Sequence, residues 1–252
     1  MQLEQFRLGN EHDWIIGYKC IPIEPIDALP IVISHGFGTN NVRMRRYAEK
    51  FCDLGYEVYV FDYRGGDIDC ESSGRTEEMT IESEKQDLKK VIDYVIEQSV
   101  KHSQVTLWGC SLGGVIASLV ATEYQKMIDK LILYYPAFSV SDDLNAGELM
   151  GSKFEPKKIP DKVFIEAKKF DIGREFISQC QKLDIWNEVM KYKGPVLICH
   201  GTDDTKVDIS YGRKAAEIYS DAEFIEIPSG DHGYRVAGFN EAIQATKKYL
   251  SI

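Results

Sequence analysis

The feature that most constrains this chain's fold is a change of hydrophobic period that recurs along it. From Pro30 onward, short unbroken apolar runs appear at Ile31-Val32-Ile33, Val58-Tyr59-Val60-Phe61, Val105-Thr106-Leu107-Trp108, Leu131-Ile132-Leu133, Val196-Leu197-Ile198 and Phe224-Ile225-Glu226-Ile227. A strand that is apolar on both sides must be covered on both sheet faces, which is the environment of a buried parallel strand. Between these runs lie segments of helical spacing at about 42–54, 81–99, 112–125, 209–220 and 238–250. Alternating strand and helix predicts an α/β fold, with a mostly parallel, doubly wound sheet and right-handed crossovers. Ahead of it, residues 3–9 and 14–21 alternate apolar and polar side chains around Gly9-Asn10-Glu11-His12-Asp13, which predicts an antiparallel hairpin at the sheet edge. The helix from residue 81 has a sharp start, with Thr80 as N-cap and Glu82 and Glu84 expected to complement the helix dipole.

The rhythm breaks between Leu133 and Val196, in a stretch carrying Pro136, Pro156, Pro160, several aromatics and two lysine pairs. A structureless loop of that length is improbable inside a compact domain, so residues 137–190 are expected to form an inserted cap within one domain spanning 1–252. The six cysteines lack any Cys-x-x-Cys pair and read as free thiols, mostly buried, with Cys70 in a polar loop the one expected to be exposed. A formal net charge of −10 would repel phosphate backbones, which excludes nucleic acid as a partner. No run approaches the roughly 20 apolar residues that span a bilayer, and residues 1–7 lack a signal-peptide pattern, so the expectation is a cytoplasmic protein with no membrane association.

A serine hydroxyl needs a base within hydrogen-bond reach and a third group to orient that base. Gly109-Cys110-Ser111-Leu112-Gly113 lies between the run 105–108 and an apolar helical segment, so Ser111 sits on a strand-turn-helix elbow. Gly109 and Gly113 would let the two backbones close around it, and Gly114 would let the helix pack close to the sheet. Beyond the strand 196–199 comes His200-Gly201-Thr202-Asp203-Asp204, where either aspartate could orient a base at the carboxyl edge of the sheet. After the last strand, His232 stands in the flexible-looking segment Pro228-Ser229-Gly230-Asp231-His232-Gly233-Tyr234, completing the order serine, acid, histidine. The glycine-rich turn Ser34-His35-Gly36-Phe37-Gly38-Thr39-Asn40 could aim the Phe37 N–H, together with that of Leu112, at a developing oxyanion.

At these residues the chain resembles the α/β-hydrolase superfamily from about Leu3 to Leu250, and within it the bacterial cinnamoyl and feruloyl esterases. The resembling segments include His35-Gly36-Phe37, Phe61-Asp62-Tyr63-Arg64-Gly65, Gly113-Gly114-Val115, Tyr135-Pro136-Ala137, Lys158-Ile159-Pro160-Asp161 and His200-Gly201-Thr202-Asp203-Asp204-Thr205. The resemblance implies an α/β-hydrolase fold with an N-terminal hairpin and a cap. It makes Ser111 the nucleophile, His232 the base and Asp204, rather than Asp203, the acid, acting without cofactor on a small-molecule ester with an aromatic acyl group. The chain departs from the family in having Cys110 and Leu112 beside the serine, Gly38-Thr39 after Phe37, and a long acidic loop at 66–74. Cys110 is expected to turn away from the site and pack.

Phe138, Phe154, Phe164, Phe170, Phe176 and Trp186 give the expected cap enough apolar surface for a small core and a contact with an aromatic acyl group. The same triad would also suit a prolyl aminopeptidase-like peptidase, a monoacylglycerol lipase or a thioesterase, and a hydrolase-fold binding protein would keep the pocket without the chemistry. Asp67, Asp69 and Glu71 keep recognition of a substrate amine open. The five histidines show no metal-ligand spacing, so no metal is expected.

Overall fold

The hairpin at the start of the chain pairs Gln2–Gly9 (β1) with Trp14–Ile21 (β2) in register from Gln2 opposite Ile21 to Gly9 opposite Trp14. Its loop is closed by Asn10, whose Oδ1 accepts from the His12 and Asp13 amides. The computed structural model describes residues 1–250, and the remaining elements follow in chain order. They are Ile31–Ser34 (β3), Asn41–Asp53 (α1), Val58–Phe61 (β4), Ile81–Gln98 (α2), Val105–Cys110 (β5), Leu112–Glu123 (α3) and Ile128–Tyr134 (β6). Then come Val140–Asn145 (α4), Glu148–Leu149 (β7), Ser152–Lys153 (β8), Lys162–Ile165 (β9), Phe170–Gly173 (β10), Arg174–Lys182 (α5) and Ile185–Val189 (α6). The chain closes with Val196–Gly201 (β11), Ile209–Ile218 (α7), Ala222–Ile227 (β12) and Phe239–Tyr249 (α8).

Eight strands form the main sheet in the order β1-β2-β4-β3-β5-β6-β11-β12. From β4 to β12 every pairing is parallel, and β2 joins β4 antiparallel, leaving β1 at the edge as expected. Strand side chains alternate between two cores. Val32, Tyr59, Phe61, Leu107, Leu131, Leu133 and Ile198 face one, with α2, α3 and Ala215 of α7. Ile31, Ile33, Val58, Val60, Trp108, Ile132, Tyr134 and Leu197 face the other, with Met44, Tyr47, Ala48 and Phe51 of α1 and Ala242 and Ile243 of α8. The unbroken apolar runs of β3 to β6 and β11 are thus explained, since neither face of those runs meets water. The run at 224–227 departs from that expectation, because β12 is the other sheet edge and leaves Phe224 and Ile225 part-exposed and Glu226 exposed.

Helix α2 starts where its cap predicts, with Thr80 Oγ1 accepting from the Ser83 amide at 3.0 Å and Ser83 Oγ accepting from the Thr80 amide at 2.8 Å. Glu84 corrects the expectation of a charged first turn. It is 2% exposed and its Oε2 has no hydrogen-bond partner. Burial, with the charge of Asp87 nearby, pushes its carboxyl well above the ordinary range, so it does not serve the helix dipole as an anion. Cys70 is half-buried rather than exposed, its thiol directed at the Ser72 carbonyl and its pKa raised by burial.

The segment between β6 and β11 folds into two short hairpins and three helices. Phe138, Phe170, Phe176, Ile172, Ile177 and Leu144 are buried and continuous with the α2–α3 core, while Phe164 is 46% exposed.

Candidate active site

The turn at Ser111 is fixed by main chain before any side-chain chemistry enters. Ser111 takes φ 51° and ψ −127°, a left-handed conformation costly for a residue with a Cβ. Its amide donates to the Tyr134 carbonyl of β6 at 3.1 Å, and its carbonyl accepts from the Gly114 and Ala137 amides, each at 3.0 Å. A Cβ on Gly113 would stand 2.2 Å from the His35 carbonyl oxygen, and one on Gly109 2.6 Å from that of Gly113. Both positions therefore require glycine for room. Gly114 lies close to the sheet as expected, its Cα 2.9 Å from where a Cβ on Gly109 of β5 would stand, and a Cβ of its own would also meet Pro136 at 3.0 Å in the turn after β6.

His232 lies where its Nε2 is 3.1 Å from Ser111 Oγ and its Nδ1 2.8 Å from Asp204 Oδ2. An ionised carboxylate only accepts, so Nδ1 carries the proton and Nε2 is left to receive the serine's. The segment holding His232 is pinned rather than loose. Asp231 Oδ1 accepts from the Val236 and Ala237 amides, Arg46 donates to the Gly233 and Tyr234 carbonyls, and the Tyr135 ring meets the imidazole edge at 4.8 Å between centroids.

Asp204 has a fully buried side chain, and its Oδ1 accepts from the Lys206 and Val207 amides at 2.8 and 3.0 Å. Burial opposes its charge, but hydrogen bonds from His200 and His232 and from the Val207 amide outweigh burial and hold the carboxyl well below its ordinary value. Asp203 is turned elsewhere: its amide donates to the Gly230 carbonyl and its carboxylate accepts from Thr202 Oγ1 at 3.0 Å.

Sequence reasoning missed His200. It is fully buried, with Nε2 shared between the Val207 carbonyl at 3.0 Å and Asp204 Oδ2 at 3.3 Å, so one carboxylate oxygen serves two histidines. The His-Gly-x-x-Asp string held both residues, but spacing alone does not show that they face each other. His35, part of the glycine-rich turn before Phe37, is a brace. Its Nδ1–H donates to the Gly36 carbonyl, its Nε2 accepts from the Tyr63 amide at 3.1 Å, and burial lowers its pKa and keeps it neutral.

That brace, with Ser34 Oγ donating to the Gly113 carbonyl at 2.8 Å, ties the turn carrying Phe37 to the start of α3. Among the described residues neither the Phe37 N–H nor the Leu112 N–H donates a hydrogen bond. Cys110 points away from the serine, with Sγ 3.7 Å from Met44 Sδ, and burial pushes its thiol up to about 12. A cavity of about 600 Å³ opens over Ser111 and His232, within the range of small-molecule sites. Of the six aromatics between residues 137 and 190 named above, only Phe176 lines it, while Phe138 and Trp186 line a separate depression. No cluster of His, Cys, Asp or Glu suited to a metal ion occurs among the described residues, and no helix there is long and apolar enough to cross a membrane.

A parallel sheet with a left-handed serine after its β5 strand, an acid after β11 and a histidine after β12 defines an α/β-hydrolase. The chain belongs to the serine aminopeptidase S33 family (Hydrolase_4), whose sequence model matches residues 27–182. It is 32% identical over 125 residues to an uncharacterized 31.7 kDa protein from the traX-finO intergenic region of Escherichia coli, covering 49% of this chain and 42% of that one. It is 38% identical over 102 residues to the quorum-quenching protein AidA of Acinetobacter baumannii, covering 39% of this chain and 32% of that one. The match thus spans less than half the length of these curated relatives. Among solved structures, Est1E from Butyrivibrio proteoclasticus with ferulic acid bound superposes with a TM-score of 0.88 at 23% identity, covering 97% of each chain.

Proposed function

We propose that the protein is a serine carboxylesterase, with Ser111 as nucleophile, His232 as general base and Asp204 holding the imidazole in its working tautomer. The observation that carries this reading is the continuous hydrogen-bonded line from Ser111 Oγ through His232, both of which line the cavity, to the buried carboxylate of Asp204. Ser111 Oγ attacks the ester carbonyl while its proton passes to His232 Nε2, and the carbonyl oxygen takes up the negative charge between the Phe37 and Leu112 N–H groups. Collapse expels the alcohol, which takes the proton from His232. Water then repeats the cycle on the acyl-enzyme and releases the acid.

Residues 137–190 act in this reading as a cap that shapes the substrate's environment, with the buried Phe176 backing the cavity wall through its packing on Phe37. The favoured acyl class is hydroxycinnamoyl, supported by the ferulic acid held by Est1E on the same fold. A peptidase reading has its own supports in the family match and in Asp67 and Asp69, which line the cavity. Glu71 does not add to it, because its carboxylate accepts from Tyr18 and Gln5 on the hairpin.

Ser111→Ala should cut p-nitrophenyl butyrate turnover by about 10⁴-fold or more with the far-ultraviolet dichroism unchanged. Turnover within tenfold of wild type would remove Ser111 from the mechanism. In a panel of methyl ferulate, p-nitrophenyl butyrate, a monoacylglycerol and a prolyl amide, methyl ferulate should rank above the glyceride and the amide. If it is the poorest of them, the hydroxycinnamoyl assignment fails while the esterase mechanism stands.

A further inference from the structure

Two departures from the family pattern, Gly38 in the Phe37 turn and the long loop after Arg64-Gly65, converge on one side chain. Gly38 has φ 56°, and a Cβ there would lie 2.8 Å from Cδ and 3.0 Å from Cε of Lys168. Glycine at 38 thus leaves room for the lysine stem, and the ammonium reaches back to donate to the Gly38 carbonyl at 2.8 Å. The loop contributes Asp67, itself held by Asn40 Nδ2 at 3.2 Å and by the Ile68 amide at 2.8 Å.

Lys168 lines the same cavity as Ser111 and His232, and so do Arg43, Lys206 and Arg235. Among the described residues, no carboxylate lies within ion-pair distance of any of these four cations. Burial lowers the Lys168 pKa, Asp67 opposes that, and the like charges of Arg235 and Arg43 add to it. The ammonium has three donors and a single acceptor, so hydrogen-bonding capacity is left facing the cavity. In a chain of net charge −10, a part-buried lysine that lines the cavity with Ser111 and feels the like charges of two exposed arginines is not a reflection of composition. Their repulsion is relieved when an anion joins them.

We infer that Lys168, Arg43 and Arg235 receive an anionic group, a carboxylate or a phosphate, carried by the ester that Ser111 attacks. This rests on the esterase reading and narrows its substrate class to acidic esters. Asp67 and Asp69 sit on the same rim and limit how much excess positive charge the site holds.

The test compares kcat/KM, each corrected for the ester's spontaneous hydrolysis rate, for anionic esters and neutral counterparts of similar shape. On the acyl side, the p-nitrophenyl hemiester of glutarate is paired with its neutral glutaramate counterpart. On the alcohol side, the butyrate esters of 4-hydroxybenzoate and 4-hydroxyphenyl phosphate are each compared with that of 4-hydroxybenzamide, which separates carboxylate from phosphate. At least one anionic ester should exceed its neutral counterpart about tenfold, the worth of one charge-assisted hydrogen bond, and the advantage should shrink in about 0.5 M salt. Lys168→Met and Arg235→Gln should each lower the anionic-to-neutral ratio about threefold or more through KM, and Asp67→Asn should raise it. A ratio of one or less in every pair overturns the inference and leaves the esterase mechanism intact. If no ester is turned over and a fluorophosphonate probe leaves Ser111 unlabelled, the esterase reading fails and this inference falls with it.

Discussion

From Val105 to Cys110 every residue is buried, and the turn that follows is held by backbone hydrogen bonds to Tyr134, Gly114 and Ala137. Between α4 and α5, by contrast, the chain forms strands of two to four residues and keeps most of its side chains at least partly exposed. Both regions reach the cavity over Ser111. The first places one atom through glycines and carbonyls that admit no substitute. The second presents side chains on a thin layer whose core is borrowed from α2 and α3. Under the proposed function, the difference puts the chemistry on the rigid elbow and leaves specificity to the inserted segment, which can vary at small cost to the fold.

The hardest test of that contrast is Gly113→Val. Its Cβ would fall 2.2 and 2.4 Å from the His35 and Ser34 carbonyl oxygens, neither of which is a flexible side chain. A loss above about 4 kcal/mol in urea unfolding, or no folded protein at all, is expected. Phe176→Ala comes next. Phe176 is fully buried and its ring lies 5.6 Å from that of Phe37, so truncation should cost about 3 kcal/mol and, in the proposed mechanism, lower ester kcat by loosening the turn that carries Phe37. A stability loss with kcat untouched would show that the inserted segment does not support the elbow.

A smaller, pH-dependent effect is expected at the seam between the two regions, where Glu84 of α2 lies near Cys180 of α5. Its native pKa is raised, so the folded protein holds a proton that the unfolded chain has released once the pH exceeds the ordinary carboxylate range of about 4. Wild type therefore loses stability as pH rises from there toward the raised native value. Glu84→Gln should melt higher than wild type at pH 8, with the gap shrinking toward pH 4; a gap that stays constant with pH would mean that Glu84 is charged in the fold. Smallest of all should be Phe164→Ser on the exposed face of β9, within about 0.5 kcal/mol of wild type by thermal unfolding.

How much of this could be read from the chain depended on whether the cause is local. The strand runs, the helix start at Thr80 and the elbow glycines express periodicity, capping and turn sterics, and all three act within a few residues. The hairpin was legible from its alternation, because an antiparallel ribbon can keep one face in water, whereas the apolar run of β12 did not reveal that this strand closes the opposite edge. Glu84 misled because its first-turn position is a local cue, while it is buried near Tyr63 and Cys180, groups distant from it in sequence.

By itself the sequence determined the α/β alternation, the turn at Ser111, and the order in which serine, acid and histidine follow their strands. Only the tertiary structure decided which groups meet: the strand order, His200 sharing Asp204 with His232, Phe176 as the one phenylalanine of the inserted segment on the cavity, and Lys168 seated on Gly38. The reason is physical. Backbone preferences are set by near neighbours, whereas contacts between distant residues depend on the packing of the whole sheet and its helices, which no local pattern encodes.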